Sequence, residues 1–166
     1  MPPQSTIDAY CQMFKKMKRS FVKGCRAPHK VILLLSVQYL VETGQMTDNK
    51  VYLDSSLINA FQLLWKKYID DGAPSKGVKV GEELLLAPRR VYPFSCSIHN
   101  PFYFMSNEPF WNLVKSDEWK ASKNYSLKLL RECYRYAEID QELFELMQDR
   151  LASEQMKRCL MEMLTM

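Results

Sequence analysis

The chain has 166 residues, 47% of them apolar and 12% aromatic, which is long enough to bury its own core and too hydrophobic for intrinsic disorder. Its net charge of +4 is modest for a small nucleic-acid-binding domain, so where the charge sits says more than its sum. The longest apolar run, 31–35, is too short for a bilayer span, the Met-Pro-Pro-Gln start lacks the regions of a secretion signal, and five cysteines without a CxxC make neither a disulfide framework nor a zinc site; a cytoplasmic protein with reduced thiols and no cofactor is expected.

Residues 7–22 place Tyr10, Met13, Phe14, Met17 and Phe21 at helical spacing, with Lys15, Lys16, Lys18 and Arg19 on the remaining surface. This predicts a basic amphipathic helix ended by Gly24. Pro28 suits the first turn of a second helix reaching about Thr43 and closed by Gly44. That helix, with Val31, Ile32, Leu33, Leu34, Leu35, Val37, Leu40 and Val41, is apolar nearly all round, which puts it at the centre of the fold. Residues 49–53 predict a short strand, and Asp54 or Ser55 caps a third helix with Leu57, Phe61, Leu64, Trp65 and Tyr68 on one face, stopped by Gly72.

From 71 to 100, glycine, proline and serine predict irregular structure or short hairpins. Residues 102–105 and 110–114 predict two short strands joined by a turn, and 125–137, 140–148 and 153–165 predict three helices, the second capped by Asp140. The expected fold class is therefore mainly α with a small β-sheet (α+β). It is read as one domain over 1–166, with a central buried helix from about 28 to 43 and a C-terminal helical portion over 125–166.

Between Lys15 and Lys30 there are eight basic residues, His29 included, and no acidic one. The densest part, Arg26-Ala27-Pro28-His29-Lys30, lies at the start of the buried helix. Unpaired backbone N–H groups and the positive end of the helix dipole there suit a phosphate. The alternative is a packed His29 with Arg26 and Lys30 solvated. Lys15 and Arg19 on the first helix could follow a nucleic-acid backbone, or merely face water. Arg89 and Arg90, followed by Tyr92 and Pro93, mix basic and aromatic groups as a phosphate-and-sugar contact would. Asn100-Pro101-Phe102-Tyr103-Phe104 offers an apolar, weakly hydrogen-bonding surface but also reads as core, and Trp111 and Trp119 read as core. With His29 and His99 the two histidines in the sequence, no ββα-metal nuclease site can be assembled, and the common nucleotide-binding and hydrolase motifs are absent.

The run Arg26-Ala27-Pro28-His29-Lys30-Val31-Ile32-Leu33-Leu34-Leu35 resembles the APHKPxLLL signature opening the recognition domain of HNH-type restriction endonucleases specific for phosphorothioated DNA. The resemblance continues at 49–53 with 57–68, which looks like that family's strand and Phe/Trp-bearing helix. It continues again at Pro101-Phe102-Tyr103-Phe104 with Pro109-Phe110-Trp111-Asn112-Leu113, and at 136–144, which is similar to the family's YAxLDxxLF segment. The resemblance implies a domain that recognises DNA carrying sulfur in place of a non-bridging phosphate oxygen, cleavage being left to an HNH domain that these residues do not contain. Carried over by position, it implies that Arg26, Pro28, His29, Lys30, Pro101, Phe102 and Phe104 contribute. Val31 stands where the family has proline, and Asn100 where many members have tyrosine. Either Tyr92 and Pro93 complete the pocket, or ordinary or otherwise modified DNA is bound.

The expected function is binding without catalysis. Double-stranded DNA is the partner, its backbone held by Arg26, His29, Lys30, Arg89, Arg90, Lys15 and Arg19. Sulfur would lie in an apolar pocket of Pro28, Tyr92, Pro93, Asn100, Pro101, Phe102 and Phe104. Homodimerisation or a nuclease partner stays open. Two other readings are a protein-interaction module using Met156, Met161, Met163 and Met166, and a truncated endonuclease.

Overall fold

Helix α2 (His29–Glu42) has no polar face, and eleven of its fourteen residues are buried. A helix that is apolar all round must be surrounded. In the computed structural model, which describes residues 2–22, 24–71 and 94–164, α2 packs against α3 (Ser55–Trp65), α4 (His99–Phe104), α6 (Gln141–Gln148) and α7 (Arg150–Met163). Gly44 closes it in the left-handed region at φ 76°, and the amides of Gln45 and Met46 return to the Leu40 carbonyl at 2.9 and 3.0 Å.

The fold is mainly helical with small antiparallel sheets, as the sequence predicts. Helix α1 (Gln4–Lys15) lies on α7, with Phe14 edge-on to Phe110 at 5.5 Å. The three-stranded sheet runs β3 (Lys50–Val51), β5 (Tyr134–Ile139), β4 (Trp111–Lys115). Lys50 and Asn112 flank Glu138 in register, and a shift falls between Val114 and Lys115. Asp54 caps α3 by accepting the Leu57 amide at 3.0 Å, and a π-helical turn, Lys66–Asp70, continues it. Among the described residues no helix is long and apolar enough to cross a membrane.

Four sequence expectations are corrected. The first helix ends at Lys15, and residues beyond it enter a hairpin, β1 (Phe21–Val22) against β2 (Cys25–Arg26), turning near Gly24 at φ 80°. A continued helix would forgo the bond from the Lys18 amide to Glu108 and that from Arg19 Nε to the Ala27 carbonyl, both of which the unwound segment makes. Residues 102–105 are not a strand: α4 passes into a 3-10 turn, Met105–Asn107. Pro101 is tolerated in its first turn, where an amide proton has no intrahelical acceptor, and Phe102 and Met105, three apart, both point inward. The stretch 125–137 divides into α5 (Leu127–Cys133), capped by Ser126, and β5. Finally, Trp119, expected in the core, is 37% exposed with Lys115 Nζ 3.9 Å above its ring.

The last helix begins at Arg150, where Asp149 caps it by accepting the Ala152 amide. Asp140 occupies the N-cap position of α6, but its side chain makes no cap bond and instead accepts the Tyr10 hydroxyl at 2.7 Å, tying α1 to the C-terminal helices. Met156 and Met163 are buried in the core and Met161 packs on its edge, while Met166 lies outside the described residues. The methionines expected on an interaction face are therefore largely used by the chain's own interior.

Candidate functional site

A groove of about 830 Å³ opens at the N-terminal end of α2. Three stretches distant in sequence form it: 18–20 leading into the hairpin, 27–30 at the start of α2, and 94–107 around α4. Lys18, Arg19 and Ser20 line it from the first stretch, and Asn100, Pro101, Phe104 and Asn107 from the third, Pro101 being itself buried. Phe104 is 49% exposed, an apolar ring left in solvent beside basic side chains. The stretches come together because α4 packs on α2 and because the Ala27 amide donates to the Ser20 carbonyl at 2.7 Å.

Arg19 is fixed along its length. Its Nε donates to the Ala27 carbonyl at 2.8 Å, and a terminal nitrogen reaches the Met163 carbonyl at 3.4 Å. Both of these acceptors are backbone carbonyls.

His29 Nε2 donates to the Ser95 carbonyl at 2.8 Å, a contact that requires the proton on that nitrogen. The ring lies 4.9 Å from Trp65 and edge-on to Phe94 at 5.8 Å. This burial pushes its pKa below the ordinary histidine value, and the Ser95 carbonyl opposes the shift in part. His29 therefore joins the groove as a neutral, oriented ring. His99, also in the wall, has its Nδ1 3.2 Å from the Ser97 hydroxyl.

Lys30 lies at the groove but is only 7% exposed. Its Nζ is 2.8 Å from Glu108 Oε2 in a buried ion pair, and the same oxygen accepts the Lys18 amide at 3.2 Å. Glu108 thus neutralises Lys30 and anchors the Lys18 segment, so Lys30, expected to hold a DNA backbone, has its charge paired inside the protein.

Of the residues singled out from sequence, Arg19, His29, Lys30, Asn100, Pro101 and Phe104 meet in this groove. Arg26 is exposed on β2, outside the lining. Lys15 lines a separate groove with Asp8 and Arg158 between α1 and α7. Pro28 is buried as the N-cap residue of α2. Phe102, expected in the pocket, is 1% exposed. It lies edge-on to Trp111 at 5.5 Å, and its carbonyl accepts the indole N–H at 3.1 Å, so it belongs to the core. Arg89, Arg90, Tyr92 and Pro93 lie outside the described residues.

Sequence reading missed Ser95, Ser97, His99 and Asn107 as wall residues and Glu108 as the partner of Lys30. Polar residues in a proline-bounded segment carry no periodic signal that would have marked them. Among the described residues no three of His, Cys, Asp and Glu converge as metal ligands would. No protein-family model and no curated protein matches this chain.

Proposed function

We propose that the groove at the start of α2 binds the backbone of double-stranded DNA and favours a linkage in which sulfur replaces a non-bridging oxygen. The observation that carries this reading is the meeting of unlike side chains in one groove: exposed, cationic Lys18 and exposed, apolar Phe104 both line it. The cation suits a phosphodiester, and its attraction to it is sequence-independent. An apolar wall penalises a strongly hydrated oxygen but tolerates sulfur, which is larger, softer and more weakly hydrated.

The N-terminus of α2 supports the same reading. Pro28 contributes no side-chain cap, and the first turn holds no acidic residue, so no side chain of that turn competes with an anion for the positive dipole end. The reading is of binding rather than catalysis. His29 would act as a neutral, oriented ring in the groove wall, its Nε2 proton engaged by Ser95 and its Nδ1 able to accept but not to donate a hydrogen bond.

The test is a titration of matched duplexes with and without one phosphorothioate linkage, at two salt concentrations, using the parent and His29→Ala. Tighter binding of the sulfur duplex by the parent, weakened in the variant, is the expected result. Equal, salt-sensitive binding of both duplexes would reduce the reading to a general DNA module, and absence of binding to either would sink it.

A further inference from the structure

We infer that the β1–β2 hairpin inserts Phe21, on the strand face it shares with Arg26, into a groove of the duplex while the α2 groove holds the adjoining backbone. This inference rests on the DNA-binding reading above and assigns a second contact surface to it. Phe21 is 66% exposed and Val22 40%, two neighbouring apolar side chains placed in water. Isolated exposed apolar residues are common and need no explanation. Here successive strand residues point to opposite faces, so Phe21 stands alone on the face of its cross-strand partner Arg26, and those surroundings are specific.

The hairpin grows from the rim of the α2 groove. Ser20 and Ala27, which flank its two strands, both line that groove and are joined by the 2.7 Å bond across the hairpin base. Phe21 is the first strand residue beyond that rim, about 3 Å along the strand from Ser20. Phe21 pairs with Arg26 and Val22 with Cys25, so an exposed aromatic ring and an exposed guanidinium share one face.

Charge indicates what Phe21 meets. From Ala9 to Val41 the sequence has no acidic residue, and exposed Lys16 and Lys18 precede the hairpin in the chain. An apolar protein partner would gain little from that surround, whereas a polyanion would gain at every step. An apolar side chain flanked by cations is also how wedge residues enter a nucleic-acid groove, with cations on the phosphates and the ring against sugars or between base steps. Arg26, which lies outside the α2 groove, acquires a role as the cation flanking the wedge.

The test compares the parent, Phe21→Ala, Phe21→Leu and His29→Ala on a duplex with 2-aminopurine at successive steps. Circular dichroism checks the fold, and sedimentation checks association. Phe21→Ala should bind at least about tenfold more weakly with an unchanged salt slope, because no phosphate contact is lost. Phe21→Leu should recover most of the affinity. The parent should brighten 2-aminopurine at one step, and Phe21→Ala should not.

Parent-like affinity and fluorescence in Phe21→Ala would overturn the wedge while leaving the groove reading standing. A parent that binds no duplex would remove both. A parent that self-associates through Phe21, with unaltered DNA affinity in the variant, would make that strand face an interface between copies and overturn the inference.

Discussion

Lys30 and Glu108, 78 positions apart in sequence, form an ion pair of 2.8 Å in which each side chain is 8% exposed. The pair fastens the start of α2 to the turn after α4, and through the Lys18 amide it also holds the segment entering the hairpin. It thereby ties together the stretches that line the groove.

Removing one member of a buried pair strands the other charge, which costs about 3–5 kcal/mol. Glu108→Ala should therefore lower thermal stability by more than its loss of contact area implies. Lys30→Met combined with Glu108→Leu should regain most of that stability, since well-packed apolar replacements of a buried pair are often neutral. A double variant no more stable than the worse single would show that the pair's charges are not what sets the cost.

His29 makes stability depend on pH in a definite direction. Burial lowers its folded pKa below the value of about 6.5 expected in the unfolded chain. As pH falls below about 6.5 the unfolded state takes up the proton first, so stability present above that value is lost toward the folded pKa. His29→Gln preserves an N–H for the Ser95 carbonyl and cannot titrate. Urea midpoints at pH 7 and pH 5 should fall less in His29→Gln than in the parent, and equal falls would show that His29 does not govern the window. DNA should act in the opposite sense, since a nearby polyanion stabilises the protonated ring: affinity should rise as pH falls toward the lowered folded pKa, and not in His29→Gln.

The central helix was legible because eleven of its fourteen positions are buried, so its apolar character carried no ambiguity of face. The capped start of α3 was legible for a local reason, since Asp54 needs only its own helix. What failed was decided at a distance. Lys15, Lys16, Lys18 and Arg19 share a helical pattern, yet the helix stops at Lys15, where Glu108 and Ala27 supply bonds that no window around Lys18 contains. Phe102 and Phe104 have the same composition and opposite fates, one buried and one half exposed, because α4 is helical and a strand reading put both on one side. Arg19 and His29 do line the groove, while the burial of Lys30 could not be read locally because its counter-charge lies 78 residues away.

Those opposite fates separate stability from binding. Phe102→Ala removes a buried ring that packs on Trp111 and should cost about 3–5 kcal/mol, measured by chemical denaturation. Phe104→Ala removes a side chain that already meets water and lines the groove. It should leave stability within about 0.5 kcal/mol of the parent while weakening discrimination between the sulfur and oxygen duplexes. If Phe104→Ala discriminated as well as the parent, the apolar wall would not be the selective element.

Asn100 offers a gain-of-function test. It is exposed in the groove wall beside Pro101, and its amide can hydrogen-bond an ordinary phosphate oxygen as readily as it can border sulfur. Replacing it with tyrosine would extend the apolar surface already formed by Pro101 and Phe104 and remove that amide. Asn100→Tyr should raise the ratio of affinities for the sulfur over the oxygen duplex, mainly by weakening the latter, with the salt slope unchanged because no cation is altered. A ratio that stays fixed while both affinities fall would mean that the ring only obstructs the groove. Selectivity would then have to come from residues other than the Pro101–Phe104 wall.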